Sequence, residues 1–495
     1  MIKHRRTIEN ISQIASSHRV IFLIALALVV RLYKIDSPLI GVHSWRQADT
    51  AAMAKNFYTH GFNLFYPQID WGGAIGYCET EFPIYSFIVA LAYKVFDVHD
   101  YFGRALSIAC FFVSVWFLYQ LVVKYFGINT AFWSCSVYSM LPLNIYYSRT
   151  FQPESMLLMC CIIGIYYFDR WIDSDRSWDL IVSGVFVSLA CLIKVLPLIY
   201  LGAPLFYLAW NKFNIKIFNK FSLWIYSFFI IISVFAWYSH AHNLFVEFGN
   251  TFGFSANSTN RYDYTILLTL SFWTELLFRV IFRNFSIFCF PIFVAGLIIT
   301  RTTTREYVFD IWLVAVASTW ILVPVTSVVH EYYQLPFMLP AVIFVGKACD
   351  RYLTRSRRAV VTCLCLALLT GSILYSTGYM SVEQADKSDL IKLAVQVKAN
   401  TPKNALVISS TAEDPTLLYL SDRRGWLANR DATEEYIKAK QKLGAEYLLG
   451  SFDYIENYHS IEPNDRHKVN KQINLLLAKY PNLLNSNENF IAKIK

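Results

Sequence analysis

The sequence predicts a polytopic α-helical membrane protein of about eleven spans, followed by a C-terminal soluble α/β domain. Three observations predict it. The 495 residues are 56% hydrophobic and 17% aromatic but only 16% charged, a composition wrong for a soluble protein of this length. The apolar residues come in long runs, and runs of ~17–25 suffice to cross a hydrocarbon layer as helices whose backbone groups are bonded internally. From about Met380 the composition turns soluble.

The net charge of +9 does not indicate nucleic acid, because Lys and Arg lie in short clusters between apolar runs, as expected of membrane topology. Nine of the ten cysteines, Cys110 to Cys365, lie in or beside those runs and only Cys78 is in the first long loop. That excludes a disulfide framework or zinc spacing.

Taken in order, Lys3, Arg5 and Arg6 precede an apolar run with no small-residue cleavage site before Arg31, so it reads as a retained first span. Candidate spans cover roughly 18–35, 104–123, 129–147, 153–170, 179–194, 196–210, 221–241, 283–300, 308–329, 335–349 and 359–378. Segment 82–97 is apolar enough for a twelfth. If it crosses, the clusters Lys212/Lys216/Lys220, Arg301/Arg305 and Arg351/Arg355/Arg357/Arg358 all move outside, against the positive-inside bias. It is therefore placed along the outer interface. The N-terminus is then cytoplasmic and the C-terminal segment outside. The expected domains are 1–379, which includes an outer loop 36–103 with juxtamembrane helices, and 380–495. In the latter, DLIKLAVQVKAN and ATEEYIKAKQKLGA have helical spacing, while ALVISS and EYLLGS read as short buried strands.

The chemistry concentrates in outer loops. Asp49, in WRQADTAAMAKNFY, reads either as a helix-start carboxylate or as an acid on the helix's exposed side, able to take a proton from a hydroxyl. Glu154, after Pro153, is either a second acid at the mouth of a span, able to share a proton, hold a cation or orient an acceptor, or a helix N-terminal Glu paired with Arg149. Glu79 and Glu81 are alternative acids, or the solvated side chains of a loop. His43, Arg46, Arg149, Lys194 and His330 are cationic or ionisable groups of the kind a departing phosphate needs. Lys194 is the one charge in ACLIKVLPLIYL; it either has a partner and a function or snorkels to the headgroups. Tyr332 and Tyr333, in HEYYQLPFMLP, read as belt residues or as phosphate and sugar contacts. A His and two acids can hold a divalent cation, though no ligand spacing demands one.

HSWRQADTAAMAKNFY, NLFYPQIDWGG, ETEFPIY, YYSRTFQPE, LIKVLP and HEYYQLPFMLP together resemble the GT-C membrane glycosyltransferases. The similarity is to the protein O-mannosyltransferase-like group (glycosyltransferase family 39-like), which includes the lipid A aminoarabinose transferases, and it covers about residues 18–350. The resemblance implies transfer of a sugar from a polyprenyl-phosphate donor to a lipid, polysaccharide or protein acceptor at the outer face of the cytoplasmic (inner) membrane, as in lipopolysaccharide or protein glycosylation of the cell envelope. Carried over by motif, Asp49 is the first catalytic acid and Glu154 the second, with Lys194 and His330 on the donor phosphate. One departure stands out: many members carry an adjacent Asp-Glu pair where this chain has Arg46-Gln47, which keeps Glu79 and Glu81 in play. Two other classes fit the composition, a glycolipid carrier or flippase and a non-catalytic envelope-sugar sensor. Nearly acid-free spans and acid-rich loops favour the enzyme.

Overall fold

A computed structural model describes residues 20–252, 262–353, 381, 383–384, 388–428, 433–452, 471–486 and 488–495. The chain forms two compact units, one of residues 1–35, 104–236 and 257–378, the other of residues 36–103, 237–256 and 379–495. The linear division expected at residue 379 is therefore not the compact one, since 36–103 groups with the C-terminal segment.

The first unit is helical. Among the described residues, Tyr101–Phe126, Glu154–Ser174 and Phe221–Phe248 are long and apolar enough to cross a membrane. Several other expected spans are broken, two of them at proline. The 129–147 run forms Ile128–Met140 and Pro142–Tyr147, hinged at the extended Leu141. The 308–329 run forms Tyr307–Leu322 and Pro324–Val329, hinged at Val323. Proline disfavours the α conformation in its predecessor and, lacking an N–H, readily begins the next helix. The 196–210 run is divided at Leu201, into Pro197–Tyr200 and Gly202–Phe213. The chain bends by 101° between Leu270–Asn284 and Ser286–Ile298. The expected span 359–378 lies outside the described residues.

Small residues set the helix contacts. A Cβ on Gly164 would lie 2.6 Å from a Val187 methyl, one on Gly296 2.0 Å from the Phe344 carbonyl oxygen, and one on Gly346 2.1 Å from Ser134 Oγ. Apolar helices that gain little from burial against one another associate through such close backbone approach. The Arg301/Arg305 cluster is ion-paired as well as a topology signal: Arg301 pairs with Asp310, and Arg305 with Asp169 and Asp173.

In the second unit, the helix Ser44–His60 is buried along most of its length. Its alanines at 48, 51, 52 and 54 are at most 1% exposed. The 82–97 segment forms the helix Ile84–Phe96, packed on the first by an edge-to-face Phe57–Phe87 pair and a bond from Ser86 Oγ to the Thr50 carbonyl. Five strands follow: β1 (Leu406–Ser410), β2 (Arg424–Leu427), β3 (Ala445–Ser451), β4 (Asn482–Asn485) and β5 (Asn489–Lys493). Their order is β2-β1-β3-β5-β4, parallel across β2-β1-β3 and antiparallel beyond. Alternation along the strands divides the core: Val407, Leu449 and Ile491 face Leu390, Leu393 and Val397 of the helix Ser388–Asn400, while Ile408, Leu448 and Phe490 face Ile437 of the helix Glu434–Lys442.

The loop is stitched to this sheet. Gly73 donates to the Gly425 carbonyl and Gly425 to the Asp70 carbonyl, extending the pairing past edge strand β2. Arg424 donates to Gln68 Oε1 and to the Ile69 and Ile75 carbonyls. Trp71 packs against the Leu390 core.

Candidate functional site

The helices Glu154–Ser174 and Ser177–Ile193 are joined by two residues, so they run antiparallel. The start of one therefore lies at the same end as the finish of the other. Glu154 opens the first helix and Lys194 caps the second. Each charge has the sign its helix terminus favours. The two meet at 3.0 Å, with side chains 1% and 7% exposed.

This pair answers two sequence alternatives. Lys194 does not snorkel, and Glu154 is paired with Lys194 rather than with Arg149. Lys194 Nζ also lies 4.5 Å from the ring centres of both Tyr332 and Tyr333, an aromatic flank favourable to a cation. His330 stacks on Tyr332 at 5.2 Å, and Tyr147 meets that ring edge-on. Among the described residues Glu154 Oε2 is buried without a hydrogen-bond partner, as is one terminal nitrogen of Arg149. The other terminal nitrogen of Arg149 reaches the Val30 carbonyl at 3.5 Å. Sequence reasoning missed Glu331, which accepts from Arg283 at 2.5 Å and is 1% exposed. Its signal was its place inside HEYY, between residues already singled out. A buried ammonium held by one carboxylate and two rings suits an incoming phosphate, which bonds strongly to a cation sheltered from water.

The remaining candidates lie in the second unit. Asp49 is buried, not exposed, and lies beyond the first turn of its helix, so it is not a helix-start carboxylate. Trp71 Nε1 donates to its Oδ1 at 3.0 Å. Burial pushes the Asp49 carboxyl well above its ordinary range; the Trp71 bond opposes this and the negative neighbours Asp70 and Asp414 add to it. Trp71 was not foreseen as a partner.

Nor are Glu79 and Glu81 solvated. Glu79 is buried and accepts from Thr251 Oγ1, with His242 Nδ1 3.7 Å away; its backbone bridges Asn250 and Phe252. Glu81 is paired with Arg46, whose guanidinium lies over the Phe252 ring. His43 has a left-handed backbone and meets Trp45 edge-on. The expected phosphate set is thus divided, with Arg149, Lys194, His330, Tyr332 and Tyr333 in one compact unit and His43 and Arg46 in the other. Among the described residues no three His, Cys, Asp or Glu side chains group as ligands for a metal ion.

Comparison with known proteins bears on this arrangement. Residues 80–240 match the family described as dolichyl-phosphate-mannose-protein mannosyltransferase, a segment that contains Glu154 and Lys194 but not Asp49 or His330. The "Putative mannosyltransferase YycA" of Bacillus subtilis (strain 168) is 25% identical over 181 residues, 35% of this chain and 26% of that protein. The chain thus spans about a quarter of the curated relative it matches. ArnT from Cupriavidus metallidurans is similar over nearly the whole length: the apo structure gives a TM-score of 0.66 at 13% identity, covering 97% of this chain and 98% of that one. Its complex with undecaprenyl phosphate gives 0.64, also at 13% identity, covering 96% and 98%. The archaeal oligosaccharyltransferase AglB from Archaeoglobus fulgidus, in complex with an inhibitory peptide and a dolichol-phosphate, gives 0.56 at 11% identity over 91% of this chain and 72% of that one. The chain therefore has the polytopic helical membrane fold of these structures, and its 80–240 segment is similar to the dolichyl-phosphate-mannose-protein mannosyltransferase family.

Proposed function

We propose that the chain is a membrane glycosyltransferase that moves a sugar from a polyprenyl-phosphate donor to an acceptor hydroxyl at the outer face of the cytoplasmic membrane. The observation that carries this reading is the buried Lys194, paired with Glu154 and flanked by Tyr332 and Tyr333. The matched family and the complexes of similar folds with undecaprenyl phosphate and dolichol-phosphate support it.

The acceptor oxygen attacks the anomeric carbon as the bond from that carbon to the phosphate oxygen breaks. The electron pair leaves with the polyprenyl phosphate, whose growing charge Lys194 meets, with His330 and Arg149 as further contacts. Glu154 holds the Lys194 side chain in place until the phosphate arrives. Asp49 takes the acceptor proton, its burial making it a stronger base than a solvated aspartate. A single displacement inverts the anomeric centre. The hydrocarbon tail stays in the bilayer, which is why the reaction belongs at a membrane surface.

The test is transfer in vesicles supplied with a polyprenyl-phosphate sugar. Asp49→Asn and Lys194→Met are each expected to lower turnover by roughly 100- to 1,000-fold. Full transfer by Asp49→Asn removes Asp49 as the base, and full transfer by Lys194→Met removes the phosphate site.

A further inference from the structure

Apart from the groups assigned to transfer, the second unit contains a cleft of about 630 Å³ between the last turns of the Ser44–His60 helix and the loops that lead into β1 and β2. Four cationic side chains line it against two carboxylates, so its charges do not balance. Of its two carboxylates, Asp422 is paired with Lys55, and Asp70 is buried and accepts from Asn56 Nδ2 at 3.1 Å. Burial also pushes the Asp70 carboxyl up, reducing its charge at a given pH. With both acids so engaged, a divalent cation finds no open carboxylate.

The cations are in excess. Lys403 is exposed at the rim, and no carboxylate among the described residues pairs with it. Arg423 directs its hydrogen bonds to neutral acceptors, the Thr401 hydroxyl and carbonyl and the Ser421 and Asp422 carbonyls. Arg424 Nε is buried with no partner among the described residues. Beside these charges stand Asn56 and Asn404, groups suited to hydroxyls, and His60, whose imidazole burial and the Arg424 charge hold below its ordinary value.

We propose that this cleft binds an anionic saccharide, a sugar bearing a phosphate or a carboxylate, with Lys403 on the anion and the neutral polar groups on the ring hydroxyls. Charge-assisted bonds to an otherwise uncompensated cation supply the affinity, and the amides and imidazole supply selection for a sugar over a bare anion. The site stands whether or not the chain transfers sugar, because its ligand is read by binding alone.

The experiment is a saturation-transfer NMR titration of the full chain in detergent with glucose 6-phosphate, glucuronate, glucose and inorganic phosphate. Glucose 6-phosphate and glucuronate are expected to bind at least roughly tenfold more tightly than glucose or phosphate. Lys403→Ala should weaken both by roughly five- to tenfold, the value of one charge-assisted bond at an exposed position. Lys403→Glu should abolish binding, and Lys442→Ala, at an exposed lysine away from the cleft, should leave it unchanged. Because Lys403 is exposed, its replacement leaves the core intact. Glucose binding as tightly as glucose 6-phosphate, phosphate binding as tightly as glucose 6-phosphate, or indifference to both Lys403 substitutions would each overturn the proposal.

Discussion

Neutralising Glu154 and Lys194, singly and together, separates a structural role for the pair from a role in chemistry. Glu154→Gln keeps the shape and removes the charge, leaving an ammonium whose side chain is only 7% exposed. An uncompensated buried charge costs about 3–5 kcal/mol. Lys194→Met strands Glu154 instead, and also forfeits the contacts with Tyr332 and Tyr333, worth about 0.5–2 kcal/mol each; it is the more damaging of the two. The double variant replaces the ion pair by neutral side chains of similar volume, an exchange that is often neutral or stabilising. Thermal unfolding in detergent should therefore show two destabilised singles and a double close to wild type. Transfer in vesicles should stay lost in the double, because the phosphate has lost its cation. A double variant that regains both stability and transfer would make the pair purely structural and refute the assignment. Singles that each lose less than about 1 kcal/mol would refute the burial argument itself.

Two further outcomes follow from the geometry. A carboxyl whose folded-state value is raised binds its proton more tightly in the native state, so stability falls as pH rises from near the ordinary 3.8 toward the elevated value and is flat above it. Asp49→Asn should thus gain stability over wild type as the pH is raised from about 4 toward neutrality, while losing transfer; a constant difference at every pH in unfolding experiments would contradict this. Gly296→Ala drives a Cβ to 2.0 Å from the Phe344 carbonyl oxygen, a backbone atom that cannot swing away. It should destabilise by roughly 1–3 kcal/mol, whereas Gly202→Ala, with nothing within 4 Å, should change the midpoint of a thermal melt little.

The helices were legible wherever an apolar run was uninterrupted, as at Tyr101–Phe126 and Phe221–Phe248. Misreading came at proline. Pro142 and Pro324 sit inside apolar runs long enough for one span, and the breaks at Leu141 and Val323 follow from local backbone geometry that a hydropathy window ignores. Strands β1 and β3 were legible because both are short apolar stretches in polar surroundings; β4, largely exposed along Asn482–Asn485, carries no such signal. At the site, Lys194 drew attention as a charge in an apolar stretch that calls for a partner, but which partner was left open, since Glu154 lies forty positions away.

The order of residues alone determined the helical membrane class, the two short strands β1 and β3 and the siting of Glu154 and Lys194 at the ends of apolar runs. Periodicity, run length and loop length are local quantities, and they suffice for those. Only the folded chain decided that Asp49 is buried against Trp71, that Glu81 is matched with Arg46, and that the 36–103 loop packs with the C-terminal sheet. Burial and ion pairing depend on which distant segments exclude water from one another, and no window along the chain contains that information.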